Sequence, residues 1–195
     1  MKYPKAVISD QGLEYLKKGQ RWMYRNNLVS VDEDAEDGEP VCIVSEQGEY
    51  IAAGFYSAVS HVCVRILTEN EDAVIDNAFF EQRLRTAWNY RRHVEAKNLD
   101  NCRIVFGDGD LLPGLTIDRY NDTLVVQIIC SGMEKRKDML YAAMLSILQN
   151  DHQDVRYVYE RNDVKARAKE GLALFKGFHG NAGKTDLVIR ENGVN

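Results

Sequence analysis

Apolar residues in the first part of the chain come in short runs divided by polar turns. Residues 4–10 predict a short strand, and Gln11 to Lys18 one or two helical turns with Leu13 and Leu16 facing inward. Gly19 stands where that helix must stop, because glycine takes the left-handed conformation without a Cβ penalty. Trp22-Met23-Tyr24, Leu28 to Val31, Val41 to Val44, Tyr50 to Tyr56 and Val62 to Leu67 read as further strands, with a turn at Glu46 to Glu49. Many short strands with polar turns predict a small barrel or sandwich.

The pattern changes near Asp72. Asp76 is a candidate N-cap. Behind it Phe80, Leu84, Ala87, Trp88, Arg91 and Val94 recur at steps of three and four, predicting a helix to about Lys97. Strands follow at Arg103 to Phe106, Leu115 to Arg119 and Thr123 to Cys130. Asn121-Asp122 is a tight-turn pair that makes the last two a hairpin. Met133 to Gln149 predicts a second amphipathic helix, with Leu140, Met144, Ile147 and Leu148 inward. Val155 to Glu160 predicts another strand, Arg161 to Lys184 a basic and less regular stretch, and Leu187 to Ile189 a last strand. The fold class expected is α+β: a small β-barrel unit, then a central unit with two amphipathic helices and a mainly antiparallel sheet.

Composition places the chain among ordinary globular proteins, with 45% hydrophobic and 28% charged residues. No apolar run approaches a bilayer span, and Met1 to Asp10 carries no signal-like core, so the cytoplasm is the expected compartment. Cys42, Cys63, Cys102 and Cys130 form no C-x-x-C pair and read as reduced, mostly buried thiols. With His61, His93, His152 and His179 they offer no zinc spacing, so no metal is expected. The net charge of −5 argues against nucleic acid only until its distribution is seen. Residues 1–30 hold Lys2, Lys5, Lys17, Lys18, Arg21 and Arg25 against Asp10 and Glu14, whereas residues 31–50 hold eight acids and no base. The acidic run Asp32 to Glu39 reads as a solvated loop.

Sequence features for catalysis are weak. Gly180 to Thr185 ends like a phosphate-binding loop, but Phe178 stands where that motif needs its first glycine, and a strand is expected after it rather than a helix. Gly107-Asp108-Gly109 precedes a proline-containing turn, not the helix of a dinucleotide or S-adenosylmethionine (SAM) loop. Cys102 and Cys130 have no neighbour that would activate a thiol. No catalytic and no cofactor-binding residue is assigned. Binding chemistry is better supported: Lys17, Lys18, Arg21, Trp22 and Arg25 put cations for phosphates and a ring for bases on one helix-to-strand corner. With Arg65 they are the candidate RNA contacts.

Three segments of the first unit, Gly19-Gln20-Arg21-Trp22-Met23-Tyr24, Ala53-Gly54-Phe55-Tyr56-Ser57 and Ser60 to Leu67, resemble the N-terminal PUA domain of the bacterial family that includes the large-subunit rRNA cytosine-5 methyltransferase I. Asp110 to Tyr120, then Tyr159-Glu160-Arg161-Asn162-Asp163-Val164, with Arg167 and Glu170-Gly171-Leu172 beyond, resemble that family's central domain. Two positions depart from the family pattern: Leu111 stands at a usual glycine and Gln20 at a usual histidine.

The resemblance implies a PUA-like RNA-binding domain over residues 1–72, a central α+β domain over 73–185, and over 186–195 the start of a link to a Rossmann-like SAM domain. It implies RNA, ribosomal by family, as partner, and SAM as cofactor of the complete enzyme rather than of this chain, which alone is expected to be inactive. Two alternatives stay open: a stand-alone RNA-binding or ribosome-assembly module, and a protein-interaction or dimerisation unit whose two amphipathic helices leave apolar faces exposed.

Overall fold

The structure, a computed structural model, describes residues 2–189. Its first sheet is built from β1 (Lys5–Ile8), β2 (Trp22–Tyr24), β3 (Leu28–Val31), β4 (Pro40–Val44), β5 (Tyr50–Tyr56) and β6 (Val62–Thr68), in the order β2-β6-β5-β4-β1-β3. Only β1 and β4 run parallel. Register shifts interrupt four of its antiparallel pairs, and such bulges bend a strand and increase its twist. Helix α1 (Asp10–Lys17) is capped by Ser9, whose hydroxyl accepts from the Gly12 amide at 3.3 Å. Gly19, at φ +88°, turns the chain out of α1 into β2.

The second sheet contains β7 (Asn101–Phe106), β8 (Leu115–Tyr120), β9 (Thr123–Ile128), β10 (Tyr157–Asn162) and β11 (Phe175–His179), ordered β11-β10-β9-β8-β7. All its pairs are antiparallel except β9 with β10. A parallel pair needs a crossover, supplied by α3 (Ser131–Glu134) and α4 (Lys137–Asn150). Helix α2 (Asn77–Val94) starts at Asp76, whose carboxylate accepts from the Phe79 amide at 3.0 Å.

Helices α2 and α4 pack on each other, and with one face of the second sheet they enclose the larger core, which holds Phe80, Leu84, Trp88, Ile117, Val126, Leu140, Met144 and Leu148. Much of both amphipathic faces is therefore covered within the chain, although Val94 at the end of α2 stays exposed. The same core takes in Ala53, Phe55 and Leu67 of the first sheet, and Phe55 stacks on Phe80 at 5.9 Å between ring centroids. The smaller core, around Ala6, Ile8, Met23, Ile43 and Val64, lies against α1.

Several expectations need correction. The predicted helix 133–149 is broken at Lys135 and Arg136. The Arg136 guanidinium donates to the Gly38 and Gly132 carbonyls at 2.9 and 3.0 Å and to Glu39 at 2.6 Å, which ties the break to the acidic loop. That loop is not merely solvated: Asp32 accepts from the Lys5 amide and Asp37 from the Ala58 amide, both at 2.8 Å. The stretch 161–184 is more regular than expected, containing α5 (Lys165–Lys169) and β11. Leu187 to Ile189 is not a strand. Helix α2 ends at Val94, before Lys97.

Candidate nucleic-acid interface

The six candidates proposed from sequence separate by what already holds them. Lys17 and Lys18 end α1 and are exposed. Arg21 is half-buried, donating to Glu69 at 3.0 Å and the Leu67 carbonyl at 3.4 Å. Arg25 turns back into the protein, to the carbonyls of Ser57 at 2.6 Å and Ser60 at 3.0 Å. Trp22 keeps 38% of its surface exposed while its Nε1 donates to both Asp108 carboxylate oxygens at 3.0 Å. Arg65 is buried at 6% exposure, its guanidinium 5.6 Å from the Trp22 ring centroid and 2.7 Å from Glu170. The structure thus leaves the two lysines, the flank of Arg21 and part of the Trp22 ring for a partner, while Arg25 and Arg65 are occupied inside the fold.

Beside the two lysines lies a cleft of about 250 Å³ between α1 and the first sheet, lined by Lys17, Gly19, Arg21, Tyr50, Ile66 and Glu69 among others. Tyr50 was not legible from sequence, since only folding brings it to α1. Its hydroxyl is buried and has no hydrogen-bond partner among the described residues. Burial first of all, then the neighbouring Cys42, Glu71 and Glu69, push it up to about 12, so it remains a neutral donor. Leaving a buried hydroxyl without a partner costs the fold stability.

The loops weighed for cofactors do not fit one. Gly107 to Asp110 forms a 3-10 turn between β7 and β8, and the residues after Gly180 open no helix within the described chain. Neither loop provides the helix N-terminus on which SAM or a nucleotide phosphate would rest. Burial raises the Cys102 and Cys130 thiols to about 11, which keeps both protonated at neutral pH. Among the described residues no helix is long and apolar enough to cross a membrane.

Known proteins resemble this chain in sequence and in fold. The sequence family described as a PUA-like domain matches residues 7–69. A Klebsiella pneumoniae protein named ribosomal RNA large subunit methyltransferase I is 36% identical over 176 residues, covering 90% of this chain and 43% of the relative. The Salmonella typhi protein of the same name is 36% identical over 194 residues, covering 98% and 47%. Two solved structures, described as a candidate methyltransferase complexed with SAH and a candidate SAM-dependent methyltransferase from Streptococcus mutans, share the fold. Each has a TM-score of 0.77 at 17% identity over 97% of this chain and 46% of theirs. The chain spans about half the length of the curated relatives it matches. Residues 7–69 thus match the PUA-like domain family, and the chain is similar along most of its length to the proteins named ribosomal RNA large subunit methyltransferase I.

Proposed function

We propose that this chain is the RNA-binding portion of a SAM-dependent rRNA methyltransferase, acting in the complete enzyme on a cytosine of large-subunit rRNA. Residues 1–72 serve as the PUA-type RNA-binding domain, and residues 73–185 as a central domain fixed against it. In this reading SAM is the cofactor of the complete enzyme; the glycine loops at Gly107 and Gly180 open no α-helix on which it would rest. A methyltransferase that must extract one base from a stack gains from an attached unit that raises its local concentration at the target. The observation that carries the reading is the Lys17–Lys18 pair beside the Tyr50 cleft, a cationic edge on a PUA-like domain in a chain whose net charge is −5.

The test is anisotropy of a labelled, structured fragment of large-subunit rRNA titrated with the chain at several salt concentrations. Lys17→Glu with Lys18→Glu, both exposed, is expected to weaken binding at least tenfold with an unchanged circular dichroism spectrum. The slope of log K against log salt should fall in steepness by about 0.9 for each phosphate that the variant no longer neutralises. Wild-type affinity in the double variant would refute the assignment of this corner.

A further inference from the structure

Helices cover one face of the second sheet; strand alternation puts a different set of residues on the other. On β10, Val158, Glu160 and Asn162 are buried while Tyr157, Tyr159 and Arg161 are not. On β8, Ile117 and Arg119 are buried while Asp118 and Tyr120 are not. The two segments that resemble the family's central domain therefore present alternate residues to one surface. Register aligns them in cross-sheet rows. Arg103 pairs with Asp118, Asp118 with Val125, Val125 with Tyr159, and Tyr159 with Phe178. Beside that row Arg161 pairs with Lys176. The face floors a cleft of about 610 Å³, bordered by residues 184–189.

We infer that this open face is a second RNA contact, one that takes a single-stranded segment with bases against Tyr159 and Phe178 and phosphates near Arg161, Lys176 and Lys184. The inference rests on the RNA-binding reading above and adds a site to it. Aromatic rings receive unpaired bases of any sequence, because every base has a π-face, and cations alongside track the backbone. Tyr159 and Phe178 lie edge to face at 4.9 Å between centroids and remain half-exposed. Among the described residues Lys176 and Lys184 make no ion pair, whereas the only carboxylate lining the cleft, Asp118, is held by Arg103 at 2.7 Å. A dry protein partner would have to desolvate that ion pair, the Arg161–Asp163 pair at 3.0 Å and Lys176 together. A second copy of the chain would set like charges against each other. A polyanion with exposed bases meets both the charge and the rings.

The experiment uses the 195-residue chain with a 4-thiouridine-labelled oligouridine and, separately, a structured rRNA fragment. Bound complexes are photocrosslinked and the attachment sites are read by mass spectrometry. Crosslinks from the oligonucleotide are expected within residues 157–184. Tyr159→Ala should weaken oligonucleotide binding about five- to hundredfold. If that variant loses its fold, Lys176→Glu with Lys184→Glu serves instead and should make the salt slope shallower by about 1.4. Crosslinks confined to residues 13–25 would overturn the inference and leave the proposed function standing, whereas no binding of either RNA would overturn both. Wild-type dimerisation abolished by the lysine variant would assign the face to a second copy and also overturn it.

Discussion

Arg65 and Glu170 meet at 2.7 Å across 105 residues of sequence, and both side chains are buried, at 8% and 7% exposure. Ser60 also donates to the Glu170 carboxylate at 2.7 Å. The pair is incompletely satisfied: Arg65 Nε and Glu170 Oε2 have no hydrogen-bond partner among the described residues.

Removing one partner of a buried ion pair strands the other charge, at about 3–5 kcal/mol. Glu170→Ala is therefore expected to destabilise the chain by about that much in urea denaturation. Because the native pair is underbonded, Arg65→Met combined with Glu170→Leu should recover more than half of the loss. Equal destabilisation by the single and double variants would show that shape, not charge, governs this junction. The same result bears on Arg65 as a candidate RNA contact, since its loss would act on binding through the fold.

Glu134 makes the fold sensitive to acid. Burial disfavours its charge, but hydrogen bonds and attraction from Arg167, with Lys137 nearby, outweigh burial and hold its carboxyl below the usual range. A carboxyl depressed in the folded state contributes stability that is complete above its unfolded value of about 4.3 and is lost as pH falls through the folded value. Glu134→Gln should cost about 1–3 kcal/mol at pH 7 and flatten the decline in stability below about pH 4. A variant with the wild-type acid limb would refute this role.

Leu111 sits at φ +58° and ψ +28°, in the left-handed region that branched side chains disfavour, and 43% of its surface is exposed. Glycine would take this backbone conformation without a Cβ penalty. Leu111→Gly should relieve about 1 kcal/mol of strain, partly offset by the freedom glycine gains in the unfolded chain. A rise in melting temperature of a few degrees checks it; a fall would mean that packing of the leucine outweighs its backbone strain.

The fold was legible where one residue sufficed to decide a local structure. Asp76 announced α2, Gly19 the end of α1, and Asn121, at φ +53°, the β8–β9 hairpin. It was illegible where distant groups decided. The break before α4 depends on Gly38 and Glu39, 98 and 97 residues away. Strand β11 carries Lys176 and Gly177 between two phenylalanines, which hid its alternation; pairing with β10 supplies the order its sequence does not announce. The candidate site divides the same way. Lys17 and Lys18 could be read directly as exposed cations ending a helix. Arg25 and Arg65 looked equivalent to them, but carbonyls 32 and 35 residues from one and a carboxylate 105 from the other had already engaged them.

The long reach from Arg65 to Glu170 also sets an order of events during synthesis. The strands of the first sheet are all contained within residues 5–68, so that sheet has its full sequence well before α5 and Glu170 leave the ribosome. At about 5–20 residues per second, the Arg65 guanidinium waits roughly 5–20 s for its counter-charge. Throughout that interval the first sheet has a charged side chain at a surface that only the second unit can close, so the two units can lock together only after Glu170 has been made.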